Sequence, residues 1–75
     1  MDPQATWDQM LSAYAAHDWE EVKDLAEALL HWLGSGGFPP DVAGGSVPVG
    51  DDWNRSVALY AAQLSLEHAR RRKRS

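Results

Sequence analysis

Apolar side chains recur every three or four residues in the first part of the chain, which is the spacing of one face of an α-helix. Trp7, Met10, Leu11 and Tyr14 mark the first such stretch and are predicted to form one apolar stripe. Asp2 and Pro3 precede it, where an N-cap and a first helical residue are expected. The pattern predicts a first helix over residues 3–16.

A second helix is predicted over residues 19–33, directly after a break in the pattern near His17. Asp18 can cap its start, and Glu21 follows three residues later, as in a capping box. Gly34 is expected to be the left-handed residue that ends it. Its main apolar stripe consists of Trp19, Val22, Ala26, Leu29 and Leu33. Leu25, Ala28 and Trp32 widen this face beyond what one neighbouring helix covers.

A long loop is predicted over residues 34–50, because all six glycines and three of the four prolines lie there. Loops of this length are uncommon in small domains unless they have a role. Four larger apolar side chains indicate that the loop folds back over the helices and is anchored there: Phe38, Val42, Val47 and Val49.

The third helix is predicted over residues 52–72, with a basic tail at 70–75. We expect its apolar stripe to face the core, and that stripe consists of Trp53, Val57, Tyr60, Ala61, Leu64 and His68. Three tryptophans each open a helix and are expected to interlock at one end of the bundle: Trp7, Trp19 and Trp53. No β-hairpin signal is present. The expected fold is one all-α domain over residues 1–75, an antiparallel helical hairpin with a long Gly/Pro loop and a third C-terminal helix.

The stretch "WDQMLSAYAAHDWEEVKDLAEALLHWL" resembles a tetratricopeptide-type helical hairpin, and the resemblance covers residues 7–40. The matching residues take the family's positions in helix A, in the turn and at the end of helix B: Trp7, Met10, Tyr14, Asp18, Trp19, Glu20, Glu21, Ala28, Leu29 and Pro39. The resemblance implies a module that binds peptides or proteins.

Departures from this family are also clear. Leu11 replaces a small glycine, Val22 replaces an alanine, and the third helix shows no second copy of the repeat. Because such repeats normally need about three stacked units, a single unit must be completed by its third helix or by another chain. The segment "ALLHWLGSGGFPP" also resembles the helix end of short uncharacterised bacterial proteins, a likeness that implies no activity.

Charge is distributed unevenly along the chain. Residues 2–67 contain all eleven acidic residues and only two basic ones, Lys23 and Arg55, a formal charge of −9. The other basic residues form the block "RRRKR" at 70–74. Such a block is compatible with a solvated helix end, a frayed terminus, a strap across the domain's own acidic face, an acidic protein partner, nucleic acid and, last, a membrane surface. No aromatic residue is interleaved for base stacking.

Several classes of chemistry are not supported. The absence of cysteine excludes disulfides and thiolate zinc sites. His17, His31 and His68 lack metal-binding spacing. The first loop glycines follow a helix, whereas phosphate-binding loops precede one. The serines lack a recognisable nucleophile motif. We therefore expect no catalytic, cofactor-binding or metal-binding residues and no enzyme activity.

The N-terminal segment is acidic and polar, unlike a secretory signal, and no apolar run approaches the ~20 residues of a membrane span. We expect a cytoplasmic protein without a membrane partner. The function predicted best is a non-catalytic protein–protein interaction module, either self-associating or part of a larger assembly. The predicted contact residues are Trp32, which lies off the main stripe, and its loop neighbours Phe38, Pro39 and Pro40.

Two alternatives are weighed against this interpretation. The first is a small regulator that contacts nucleic acid through its basic tail, and an enzyme is the third choice. The residues of the predicted nucleic-acid contact are Arg70, Arg71, Arg72, Lys73 and Arg74.

Overall fold

The protein folds into three helices in a computed structural model, which describes the backbone of residues 1–43 and 48–73 and the side chains of 1–43 and 48–72. The helices are α1 (Pro3–Ala15), α2 (Trp19–Gly34) and α3 (Gly50–Lys73). No strand occurs in these ranges, and the predicted all-α class is confirmed. The central helix is α2, because α1 and α3 both pack against it. None of the described helices combines the length and apolarity needed to span a bilayer.

The starts of α1 and α2 are capped by the side chains that the sequence predicts. The Asp2 carboxylate accepts hydrogen bonds from the backbone N–H groups of Gln4 and Ala5. The Asp18 carboxylate accepts one from the backbone N–H of Glu21. These bonds satisfy N–H groups that have no partner inside the helix.

The ends of α1 and α2 both have the hydrogen bonds of a Schellman motif, in which a left-handed residue turns the chain away from the helix. At the end of α1 that residue is His17 (φ 58°), and the N–H of Asp18 donates to the carbonyl of Ala13. At the end of α2 it is Gly36 (φ 89°). The prediction that Gly34 takes this role is wrong, since α2 continues through Gly34.

The core lies where α2 meets its two neighbours. The main cluster consists of Trp7, Met10, Ala26, Leu29, Leu33, Ala58, Ala62 and Leu66. A smaller cluster is formed by Ala13, Val22 and Ala69 near the start of α2. The width of the apolar face on α2 is therefore used within the chain, by α1 and α3 together.

The face that α3 buries differs from the predicted one. Its buried residues are mostly small: Ala58, Ala62, Ser65, Leu66 and Ala69. Of the predicted stripe, Trp53, Tyr60 and Leu64 are exposed, so the prediction is wrong for these three, whereas Ala61 packs against the core. The physical reason is packing distance, because alanines allow the backbone of α3 to approach α2 more closely than large side chains would.

The tryptophans at the helix starts do not interlock at one end. Trp7 is in the main core, Trp19 packs against the smaller cluster, and Trp53 is exposed. Consecutive helices run antiparallel, so the start of α2 lies at the opposite end of the bundle from the starts of α1 and α3. The prediction of one tryptophan cluster is therefore wrong.

Part of the long loop is fastened to the helices by backbone hydrogen bonds. The N–H of Asp41 donates to the side-chain oxygen of Gln4 on α1, at 2.7 Å. The N–H of Val42 donates to the side-chain oxygen of Asn54 on α3, at 3.2 Å, and the Val42 side chain packs against the core. The expected folding back of the loop is confirmed for this part, while the predicted anchor Val47 lies outside the described residues.

Candidate functional site

The most prominent surface feature is an apolar stripe on α3, which we call the outer face: Trp53, Val57, Tyr60 and Leu64. These residues are spaced by four, three and four positions, so they form one row along the helix. Trp53 is 46% exposed, Tyr60 72% and Leu64 44%. Val57 is half-buried.

The outer face lies on the side of α3 that points away from α2. Tyr60 and the fully buried Ala62 are two residues apart, about 200° around the helix axis. One side of α3 is therefore apolar and covered, whereas the opposite side is apolar and open.

The size of the outer face separates it from ordinary surface hydrophobics. The exposed parts of Trp53, Tyr60 and Leu64 present on the order of 350 Å², given aromatic side-chain areas of about 150–250 Å². The largest apolar patch of a typical monomer covers about 300–600 Å² and often has a function. Single exposed hydrophobics need no explanation, whereas a contiguous row of this size is a candidate contact surface.

The hydrophobic pattern of the sequence includes these residues but predicts them to face the core. The signal that could have placed them is a second row of small residues in the same helix: Ala58, Ala62, Ser65 and Ala69. Two rows at helical spacing on opposite sides mean that one of them faces outward. Small residues favour close helix contact, so the row with the large side chains is the one left outside.

The four predicted contact residues lie together at the end of α2, with different exposures. Trp32 is half-buried, and its indole N–H donates to the carbonyl of Phe38 at 2.8 Å. The Phe38 ring meets the Trp32 ring edge-to-face and is 63% exposed. Pro39 is half-buried, and Pro40 is fully buried. Their contact role stays a prediction, for which Phe38 offers the largest exposed surface.

The glycine segment after α2 is held in place by Arg55 of α3. Its guanidinium donates to the carbonyl of Leu33 at 2.8 Å and to the carbonyl of Gly37 at 2.6 Å. A positive charge at the C-terminal end of a helix is also favourable for the helix dipole. Gly37 lies so close to Trp32 that a Cβ atom built on it would be 2.3 Å from the indole ring. This segment therefore has a structural role as the junction of α2, the loop and α3.

The first arginines of the basic tail lie against the protein's own surface. Arg70 is 3.8 Å from a carboxylate oxygen of Glu27 on α2. The Arg72 guanidinium is 5.8 Å from the centroid of the Trp19 ring, a cation–π distance. Of the alternatives left open by the sequence, these contacts favour the one in which the basic tail packs across the protein's own acidic face. Contact with nucleic acid stays a prediction, and the Lys73 side chain and Arg74 lie outside the described residues.

Two of the three histidines belong to an aromatic cluster where α1 ends and α2 begins. The ring nitrogen Nδ1 of His68 is 2.7 Å from the hydroxyl of Tyr14, whose ring meets Trp19 edge-to-face. His17 stacks on Trp19, with ring centroids 5.4 Å apart. Within residues 1–43 and 48–72, no three side chains of metal-binding type converge. The contacts of the cluster are those of a packed helix junction.

An open groove of about 460 Å³ runs between α1 and α2. Its acidic side chains are Asp8, Asp18 and Glu21, all of them exposed. Asp18 already accepts a hydrogen bond as the cap of α2. Exposed carboxylates are stable in water without a ligand, so the groove carries less functional information than the outer face.

Comparison of the chain with known proteins finds no matching family model, no similar curated protein and no similar solved structure. The resemblance to a tetratricopeptide-type hairpin therefore stays a prediction.

Proposed function

We propose that the protein is a non-catalytic protein–protein interaction module that binds its partner through the outer face of α3. The observation that carries the proposal is the exposed row of large apolar side chains opposite a fully packed face. If α3 had only to fold, polar residues could replace Trp53, Tyr60 and Leu64. Their exposure in one row is typical of a surface that another protein covers.

The composition of the outer face fits a contact surface. Aromatic residues, tryptophan and tyrosine above all, contribute a large share of the energy at protein interfaces. Exposed polar residues border the row on one side, namely Ser56, Gln63 and Glu67, and half-buried Asn54 and His68 lie on its other side. An apolar centre with a polar rim is the usual arrangement of an interface between proteins.

The rigidity of α3 also supports the proposal. The helix is held from its inner side by buried alanines and is tied to the end of α2 by Arg55. Its outer face therefore needs little ordering when a partner binds, which reduces the entropic cost of association. We propose Phe38 as a second contact, because its ring is exposed while Trp32 supports it from beneath.

The experiment that tests this proposal places a photoreactive benzoylphenylalanine at position 60. Tyr60 is the most exposed residue of the row, so a bulkier aromatic ring fits there. The matched control places the same residue at Gln9, an exposed position on α1. Purified protein and a lysate of the source cells are each irradiated, and the adducts are identified by mass spectrometry.

We expect a defined protein adduct at position 60, with another protein or with the chain itself, and no such adduct at position 9. Adding Leu64→Glu should remove the adduct, because it places a charge within the same apolar row. If position 60 gives no adduct beyond those of the control, the outer face is not an interaction surface and the proposal fails.

A further inference from the structure

We infer that the partner of the outer face is a second copy of the same chain, bound with the two α3 helices antiparallel. This inference rests on the proposed function and adds the identity and the orientation of the partner. Three features of α3 support it: the length of the apolar row, the charges at the two ends of the helix and the spacing of the row.

The first argument is the shape that a partner must have. A stable interface buries about 800 Å² on each partner, more than the apolar row alone exposes. A partner must therefore lie along much of α3, whose 24 residues span about 36 Å. A second α3 has the required length and carries the same narrow apolar row, so each row covers the other.

The second argument is charge. Asp52 stands in the first turn of α3 and Arg71 lies near its other end, and both are exposed. In an antiparallel pair the acidic start of each helix lies near the basic end of its partner, and two-fold symmetry makes this contact twice. In a parallel pair, acidic ends would face each other and arginines would face arginines. The helix dipoles also favour the antiparallel arrangement.

The third argument is the spacing of the row. Positions 53, 57, 60 and 64 follow the alternating intervals of four and three residues that place side chains along the seam of two paired helices. At the same intervals the row continues with Glu67 and Arg71, both of them exposed. The apolar part of the row therefore ends at Leu64, and a paired copy covers it along the same seam.

The oligomeric state is measured by sedimentation of the intact chain over a wide range of concentrations. We expect a monomer–dimer equilibrium, which Tyr60→Glu together with Leu64→Glu should weaken more than about a hundredfold. The matched control is Gln9→Glu with Ala28→Glu, which adds the same two charges at exposed sites on α1 and α2. Circular dichroism verifies that both double variants remain helical.

The orientation is measured with single cysteines, which report cleanly because the natural chain contains none. Asp52→Cys and Arg71→Cys are each treated with a short thiol cross-linker, alone and mixed. An antiparallel pair should give mainly the mixed product, at several times the yield of either variant alone. Predominant cross-linking of each variant with itself would mean a parallel pair and would overturn the orientation.

The two proposals can fail separately. A chain that stays monomeric at all concentrations overturns the second-copy inference. If benzoylphenylalanine at position 60 then captures a different protein, the outer face is an interaction surface with another partner. If it captures nothing, both proposals are refuted. A dimer that persists in the Tyr60/Leu64 double variant would place the self-contact elsewhere and overturn the inference as well.

Discussion

Exchanging Ala62 for leucine tests which side of α3 faces the core. Ala62 has no exposed surface, and it lies where α3 is in close contact with α2. A leucine adds three carbon atoms to a site without free space, so either the side chain is strained or the two helices move apart. Overpacking of this kind costs about 1–3 kcal/mol.

The size of this effect is large for a chain of 75 residues. At roughly 0.05–0.15 kcal/mol per residue, its free energy of unfolding is on the order of 4–11 kcal/mol. For small domains each kcal/mol shifts Tm by about 4–8 °C. We therefore expect Ala62→Leu to lower Tm by roughly 5–20 °C, or to shift the urea midpoint by an equivalent amount.

A second substitution, Tyr60→Ser, tests the outer face, on the opposite side of α3 from Ala62. Tyrosine and serine have similar helix propensities, so the change isolates the contribution of the ring. Because the ring is exposed, we expect the free energy of unfolding of the monomer to change by less than about 0.5 kcal/mol. The control Ala28→Leu, at an exposed site of α2, should likewise have little effect.

All four proteins are unfolded with urea and followed by far-UV circular dichroism, at concentrations low enough to avoid association. The reasoning is refuted if Tyr60→Ser costs more than about 2 kcal/mol while Ala62→Leu is tolerated. That outcome would mean that α3 turns its large residues towards α2, as the hydrophobic pattern first indicated. The proposals for the outer face would then lose their basis.

Three further substitutions test the contacts that fasten the helices to each other and to the loop. Arg55→Met should lower the free energy of unfolding by about 2–3 kcal/mol, because two carbonyl groups lose a charged donor, while Arg55→Lys should cost less. Gly37→Ala should shift the tryptophan fluorescence and destabilise by about 1–3 kcal/mol, and a Trp32→Ala background should remove most of this cost. Tyr14→Phe should cost about 0.5–1.5 kcal/mol through loss of the His68 hydrogen bond, and an unchanged urea midpoint would show that this bond contributes nothing.

Sequence reasoning succeeded where the determining interactions are local. The caps at Asp2 and Asp18 depend on side chains and N–H groups two or three residues apart, so the sequence contains the whole motif. The end of α2 was placed two residues early, at Gly34, although the motif is also local. Gly34 and Gly36 can both adopt a positive φ, and hydrogen bonds decide between them.

The orientation of α3 could not be read from the same pattern, because both sides of the helix have apolar residues at helical spacing. A hydrophobicity pattern ranks the side containing Trp53, Tyr60 and Leu64 above the side containing alanines. The structure buries the alanines because the fit against α2 depends on how closely the backbones approach. The distance between the two backbones depends on residues far away in the sequence, so it cannot be predicted from the sequence of α3 alone.

The failure of that prediction is informative about function. Burying large apolar side chains normally gives more stability than burying alanines, by about 0.8 kcal/mol for each additional CH₂ group. A chain selected only to fold would therefore gain by turning its tryptophan, tyrosine and leucine inward. In α3 these residues point outward, while buried alanines and the Arg55 hydrogen bonds hold the inner side of the helix against α2. Such an arrangement sets large side chains on a rigid support, which is what the proposed binding through the outer face requires.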